Sequence, residues 1–339
     1  MILKQPKFSI YQKMLECADF RMKDLSKRSY VDGLLYNERS GLLGEESLLF
    51  PISKIDFPFV ALCNLRLILK GVVFQMDTIL LSPRFALIIE AKHYTGQVWF
   101  ECDFDQVRQV RPGGEERIYD DPVLQVEEQK YLLELWLQLN GYENLPVETV
   151  VVMTNPNAQL KLQKPSELHK KKVITLPRLS KRFREISDYF DEEFYSMDQV
   201  RSLGESLLRA DRPYCPNILE RTKLSSDDFK RGVWCVNCKD FCMKRARLSW
   251  ECDRCGLRDR NAHLPALKDY YLLFGEEISN SQLRWWLGLE SSDVAGYLLK
   301  KLNLKKRGRG RSLKHLLGFD YYKDFDYMDA RRHEKDRGY

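Results

Sequence analysis

No stretch of this chain approaches the ~18 consecutive apolar residues that a membrane-spanning helix needs, and the opening MILKQPKFSI lacks the apolar run of a secretory leader. A membrane protein is therefore not expected, and the reading is a soluble, cytoplasmic one. Internal repeats and long low-complexity tracts are also missing, which sets aside solenoid architectures. Wholesale disorder is excluded by composition, since 44% of residues are hydrophobic and 31% charged. A strong charge bias is absent too, the formal net charge being +6. That small excess is concentrated, however. From Asn280 to Gly318 nine Lys or Arg face only Glu290 and Asp293, which is +7 and leaves −1 for the rest of the chain. A localised basic patch is the electrostatic footprint of a phosphate-backbone partner, although a solvated helix face has the same composition.

At 339 residues the chain is too long for one ordinary core, because domains typically hold roughly 100 to 200 residues. Three regions are expected. The first, 1–211, is mixed α/β, with β-rich runs at Leu65 to Leu81, Phe85 to Lys92 and Val147 to Thr154. Between them lies a helix over Val123 to Leu139. Val173 to Thr175 reads as a short edge strand, and helices at Lys181 to Tyr189 and Asp198 to Leu208 close the region. The second, 212–262, is cysteine-rich. The third, 263–339, is helical and basic, with an aromatic and charged tail.

The most informative stretch runs from Gln75 through Asp77 and the turn Ser82-Pro83-Arg84 to Ile89-Glu90-Ala91-Lys92. It reads as a hairpin in which Glu90 and Lys92, two apart on a strand, share a face. If Pro83 and Arg84 form the turn, Asp77 stands opposite Glu90, and a one-residue slip would send it to the other face. Two carboxylates can hold Mg²⁺ beside a phosphate oxygen, and Lys92 can orient water and stabilise developing negative charge. A further acid, Glu45 or Glu46, follows Gly41-Leu42-Leu43-Gly44 where a helix is expected to start. The plain alternative for Glu90 and Lys92 is an exposed ion pair, since the chain repeats that spacing at Glu128-Gln129-Lys130. His93 follows on the opposite face and is read as structural.

Gly41-Leu42-Leu43-Gly44-Glu45, Asp77, Ile89-Glu90-Ala91-Lys92, Gly96-Gln97-Val98, and Pro122 with Gln125 together resemble the nuclease-related domain family. That family is similar to the PD-(D/E)XK nucleases. The resemblance covers about Tyr36 to Thr154 and implies a restriction-endonuclease-like mixed sheet flanked by helices. It implies Glu45 as the helix acid, Asp77 and Glu90 as the metal carboxylates, Lys92 as the catalytic lysine, and Gln125 as the start of a helix motif of Gln, three residues, Tyr. The chain departs from that motif, with Gln129 four residues on and Tyr131 beyond it. Gln125 and Gln129 nevertheless share a helical face with Leu132 and Trp136.

Cys235 and Cys238, then Cys252 and Cys255, form two Cys-x2-Cys pairs separated by thirteen residues. Two such knuckles supply the four thiolates of a closed tetrahedral Zn²⁺ site, as in a zinc ribbon, and this zinc is expected to be structural. Cys242 and Cys215 are read as spare thiols. Basic and aromatic residues interleave between the knuckles, with Phe241 and Trp250 suited either to base stacking or to packing a small core.

Downstream, a capped helix ends at Gly288, and a second opens after Glu290. The pair resembles a helix-turn-helix, with Ser292, Lys300 and Lys301 on the second helix. Lys305, Lys306, Arg307, Arg309 and Arg311 form a basic wing or arm for phosphates. Helix pairs of this kind also mediate dimer contacts. The functional expectation is a Mg²⁺- or Mn²⁺-dependent nuclease acting on DNA, with RNA and homo-oligomerisation left open. Its rival is a non-catalytic DNA-binding regulatory or scaffolding protein.

Overall fold

The computed structural model describes residues 1–162 and 166–328. The end of the expected third region, from 329 on, lies outside the described residues. The chain opens with β1 (Ile2–Lys4), α1 (Ile10–Arg21) and α2 (Arg28–Ser47). A short α3 (Leu49–Ser53) leads into β2 (Val60–Leu69), β3 (Val72–Leu81) and β4 (Ala86–Lys92). Next come β5 (Gln97–Glu101), β6 (Gln106–Val110), β7 (Glu116–Asp120) and α4 (Pro122–Leu139). After these follow β8 (Val147–Met153), β9 (Gln159–Leu162), α5 (Glu167–Lys172), β10 (Val173–Thr175), α6 (Leu179–Tyr189) and α7 (Met197–Ala210). A short α8 (Ile218–Thr222) precedes β11 (Val233–Cys235), β12 (Asp240–Ala246), β13 (Ser249–Cys252) and β14 (Arg258–Asp259). The remainder reads α9 (His263–Phe274), β15 (Glu277–Ile278), α10 (Asn280–Leu287), α11 (Ser292–Lys301), β16 (Lys305–Arg307) and β17 (Lys314–Leu316).

Two compact units result, Met1–Phe8 with Asn37–Tyr214, and Ser9–Tyr36 with Cys215–Tyr339. The first is built on a six-stranded mixed sheet in the order β1-β2-β3-β4-β8-β10. The β2-β3-β4 meander is antiparallel, whereas β8 runs parallel to both β4 and β10. Alternation along the strands explains why helices cover both faces. Ile79, Leu81 and Ile88 pack with Leu133 of α4 and Leu203 of α7. Leu80, Leu87 and Ile89 pack with Ile52 of α3 and Phe183 of α6. The apolar run from Leu65 to Leu81 is two strands, broken by a turn at Lys70 and Gly71 where both residues take positive φ.

A second sheet of this unit, in the order β7-β6-β5-β9, is missing from the sequence reading apart from the Val98 strand. Its edge strand β7 is exposed or half-buried at every position, so it has no apolar alternation to detect. Val98, Phe100 and Val107 pack against Val123, Val126 and Met153. Gly96 leads into it with φ +74°, and a Cβ there would lie 2.2 Å from the Val110 carbonyl oxygen. Only glycine fits that approach.

The second unit packs α1, α9, α10 and α11 with the four-stranded sheet β11-β12-β13-β14 around one core. Its other sheet, in the order β15-β17-β16, frames the helix pair. α10 begins with a reciprocal cap in which Ser279 and Gln282 each bond the other's backbone. Among the described residues no helix is long and apolar enough to cross a membrane.

Candidate active site and metal centre

The β3–β4 ladder holds Thr78 against Ile89 and Leu81 against Ala86, the register in which Asp77 stands opposite Glu90. Pro83 and Arg84 are the two central residues of the turn, as expected, and Ser82 and Phe85 close it. Ser82 Oγ accepts the Phe85 amide at 3.0 Å and the Ser82 amide reaches the Phe85 carbonyl at 2.9 Å, so the register is unaltered. Beyond Thr78 and Ile89 the two strands part. β4 remains paired to β8, where Glu90 is matched with Val151, while β3 leaves the ladder. Side chains take over the freed backbone groups. Asp77 Oδ2 accepts the Ala91 amide at 2.9 Å, and Gln129 Nε2 donates to the Gln75 carbonyl at 2.8 Å and to Glu90 Oε2 at 3.1 Å.

Lys92 Nζ lies 2.6 Å from Glu90 Oε1 and 3.0 Å from Gln125 Oε1. Both glutamines come from α4, whose start is fixed by Asp121. That residue accepts the Val123 amide at 2.8 Å, is followed by Pro122, and is itself held by His169 Nε2 at 2.5 Å. Gln129, expected on one helical face with Gln125, borders the site and makes contacts that the sequence pattern does not specify. It stands where the helix motif departs from the family pattern, and its position depends on where the ladder stops.

Glu45 sits near the C-terminal end of α2 and not at a helix start, because Gly33, Gly41 and Gly44 are all accommodated inside that helix. A Cβ on Gly44 would lie 3.4 Å from Thr154 Oγ1, 3.5 Å from His93 Cβ and 3.7 Å from Ala91 Cβ, so the small residue lets α2 lie close on β4 and β8. Glu45 is buried and Glu46 exposed. His93 Nδ1 lies 3.0 Å from Thr154 Oγ1.

The electrostatics are those of crowded acids. Burial pushes the Glu45 carboxyl up to about 9, helped by Asp77, Glu38 and Glu90. Burial and then Glu90 push Asp77 up to about 7, against Lys92 and the Ala91 amide. Burial opposes the Lys92 ammonium, but Glu90, Tyr94 and Asp77 outweigh it and hold its pKa above the ordinary lysine value. Glu45 Oε2 is enclosed without a hydrogen-bond partner. Raised carboxyls around an orphaned oxygen are what a hard divalent cation with oxygen ligands would relieve, so the donor set fits Mg²⁺ or Mn²⁺.

In the second unit Cys235, Cys238, Cys242 and Cys252 bring their sulfurs within 4.8 Å of one another, a group that could bind a metal such as zinc. Cys238 and Cys252 are 3.6 Å apart and Cys235 and Cys255 3.7 Å. Cys242, expected to be spare, lies 3.4 Å from Cys252. The hairpin register explains this, because pairing Met243 with Cys252 sets the neighbouring Cys242 beside the second knuckle. Cys-x2-Cys spacing carries no sign of such a strand neighbour. Trp250 is fully buried, and Phe241 packs its edge on Phe20 and Trp234. Trp250 is thus core, which rules out its stacking on bases, whereas Phe241 is half-buried.

The basic residues Lys300, Lys301, Lys305, Lys306, Arg307, Arg309 and Arg311 are all exposed. Arg307 pairs with Glu277 at 2.8 Å. The Ser292 hydroxyl is directed at Asn280 Oδ1, 3.2 Å away, while Asn280 Nδ2 donates to the Ser292 carbonyl at 2.9 Å. Ser292 therefore clamps α10 to α11. Lys305 to Arg311, expected as a wing or arm, form β16 and the connection of the β16–β17 hairpin, which is paired through β17 to β15.

Residues 40–154 match the family model described as the nuclease-related domain. No curated protein and no solved structure matches the chain.

Proposed function

We propose that the nuclease-related domain of this chain hydrolyses DNA phosphodiester bonds with Mg²⁺ or Mn²⁺, while the second unit grips the nucleic acid. The observation that carries this reading is the parting of β3 and β4, which gathers Asp77, Glu90 and Lys92 beside the buried Glu45. Glu45, Asp77 and Glu90 would hold the cation, which when bound supplies Lewis-acid polarisation of a phosphate oxygen and a lowered pKa for water. The Ala91 amide keeps Asp77 oriented, and Gln129 keeps Glu90 in place. Lys92 stays charged, as its raised pKa indicates, so it serves as an electrostatic partner for charge developing on the phosphorane oxygens and not as a general base. Gln125 fixes the ammonium from the helix side.

In the second unit a structural zinc held by Cys235, Cys238, Cys252 and Cys255 stabilises the ribbon, and α10, α11 and the β16–β17 hairpin act as a winged helix-turn-helix. α11 is of the width that B-form major grooves admit, and the exposed Lys and Arg residues suit the phosphates.

The test is incubation of the full chain with linear, circular and single-stranded DNA, with and without Mg²⁺ or Mn²⁺, beside Lys92→Ala. The expected result is metal-dependent cleavage that falls ~100 to 1000-fold in the variant, with metal binding retained. Cleavage unaffected by Lys92→Ala refutes the active site, and no cleavage with any metal leaves a DNA-binding role for the chain.

A further inference from the structure

The C-terminal end of α9 opens onto a cavity of about 590 Å³ in the second unit, within the size range of small-molecule sites. Consecutive residues, Tyr270 to Gly275, line it. A run of that length covers every side of a helix, so the cavity meets the end of α9 and not one of its faces. Gly275, with φ +90°, turns the chain away, and its amide returns to the Tyr271 carbonyl at 3.1 Å. The next three carbonyls, of Leu272, Leu273 and Phe274, accept no hydrogen bond among the described residues. They form the negative end of the helix. Leu272 and Leu273 are 1% and 2% exposed, so their backbone is turned from bulk solvent and its donors must come from within the cavity.

Aromatic rings make up much of the remaining wall. Tyr271 and Tyr321 lie with centroids 5.1 Å apart at 45°, and Phe274 meets Trp285 at 5.8 Å and Tyr270 at 5.0 Å. Ring faces carry negative charge density and attract cations, as Arg231 shows over Trp285 at 5.3 Å. The start of α8 also lines the cavity, but Asn217 Oδ1 takes its Leu219 and Glu220 amides at 3.1 and 3.5 Å, so no open positive helix end opposes that of α9. Lys314 is held by Gln282 Oε1 at 2.8 Å, and the exposed Glu276 directly follows Gly275. We propose that this cavity binds a small organic cation, a primary ammonium on an apolar or aromatic body. Its N–H groups donate to the α9 carbonyls, and the rings enclose the charge and the body. None of the residues assigned to cleavage, zinc or DNA takes part, so the proposal stands apart from those readings.

The full chain is titrated calorimetrically with benzylammonium, with benzyl alcohol, its uncharged counterpart, and with benzyltrimethylammonium, which keeps the charge but has no N–H. Benzylammonium should bind, benzyl alcohol about tenfold more weakly or not at all, and benzyltrimethylammonium between the two. Two variants place the site. Tyr321→Leu removes one ring and should weaken benzylammonium binding about 2- to 30-fold. Cys215→Tyr sets a bulky side chain at an exposed lining position and should abolish binding. Zinc content and thermal unfolding of both variants should match the unmodified chain, which separates a blocked site from a misfolded unit. Absence of benzylammonium binding to the unmodified chain, equal binding of benzyl alcohol, or unchanged binding in the two folded variants overturns the proposal.

Discussion

Gln129 Nε2 lies 3.1 Å from Glu90 Oε2 and 2.8 Å from the Gln75 carbonyl, and so bridges β3 and β4 at the point where their own hydrogen bonds stop. The side chain does structural work that Gln125 does not. Gln129→Leu removes the donor from a buried carboxylate and leaves a backbone carbonyl unpaired, at a cost of about 1–3 kcal/mol. Gln125 is exposed, and Gln125→Ala should change stability by no more than ~0.5 kcal/mol. Urea unfolding of the metal-free chain measures both. Equal losses would mean that Gln129 is no latch.

The crowding of Glu45 and Asp77 predicts a pH dependence. Both carboxyls have folded-state pKa values above their ordinary ones, so the folded state binds more protons than the unfolded state between about pH 4 and those values. The stability they contribute is complete in acid and is lost as pH rises through about 7 for Asp77 and about 9 for Glu45. A divalent cation binds the ionised forms and offsets the loss. The rise in Tm on adding Mn²⁺ should therefore be larger at pH 8.5 than at pH 6. Glu45→Gln should raise the metal-free Tm at pH 8.5 and reduce the Mn²⁺ effect. A cation effect independent of pH would sink this account.

What the sequence revealed here follows the range of the physics involved. The hairpin register was legible because alternation and a short turn are local, and so was Val173 to Thr175 as an edge strand. Glu45 was identified by its neighbours Gly41 and Gly44, yet it was put at a helix start, because glycine reads as a break where close packing on Ala91 and Thr154 instead uses it. The sheet containing Glu116–Asp120 had no apolar signal. Cys242 was out of reach because it is placed by the partner strand's register, whereas Gln129 was legible on one helical face with Gln125 and only its bonds to Gln75 and Glu90, made where the β3–β4 ladder stops, were not. Packing of α1 against α9 joins residues some 250 positions apart, as Arg21 with Asp269 illustrates, and leaves no local trace.

Arg21 and Asp269 form a fully buried pair, Nε to Oδ2 at 2.7 Å. The guanidinium lies over Trp286 at 4.3 Å and Phe241 at 4.6 Å and donates to the Lys230 carbonyl at 2.9 Å, while Tyr327 donates to Asp269 Oδ1 at 2.7 Å. One residue thus ties α1, the ribbon and α10 together. Arg21→Met alone should cost about 3–5 kcal/mol, because it strands a buried carboxylate. Combining it with Asp269→Asn should restore part of that loss in denaturant unfolding. Strict additivity of the two changes would show that the pair is not coupled.

Sulfur spacing distinguishes the thiols that would hold zinc from the one beside them. A tetrahedron of ~2.3 Å Zn–S bonds places its sulfurs ~3.8 Å apart, which matches the Cys235–Cys255 and Cys238–Cys252 separations of 3.7 and 3.6 Å. The 3.4 Å from Cys242 to Cys252 is shorter than that edge and suits a thiol donating to a ligand sulfur. The chain should therefore bind one zinc, keep it after Cys242→Ser and lose it after Cys252→Ser or Cys255→Ser, as read by metal analysis of protein purified without chelator. Because binding and folding are coupled in so small a module, zinc removal should also abolish protection of the β12–β13 amides in hydrogen exchange, leaving the nuclease-related unit unaffected. Loss of zinc with Cys242→Ser and retention with Cys255→Ser would move the fourth ligand from the exposed knuckle to the hairpin strand, and a zinc-free unmodified chain would remove the centre altogether.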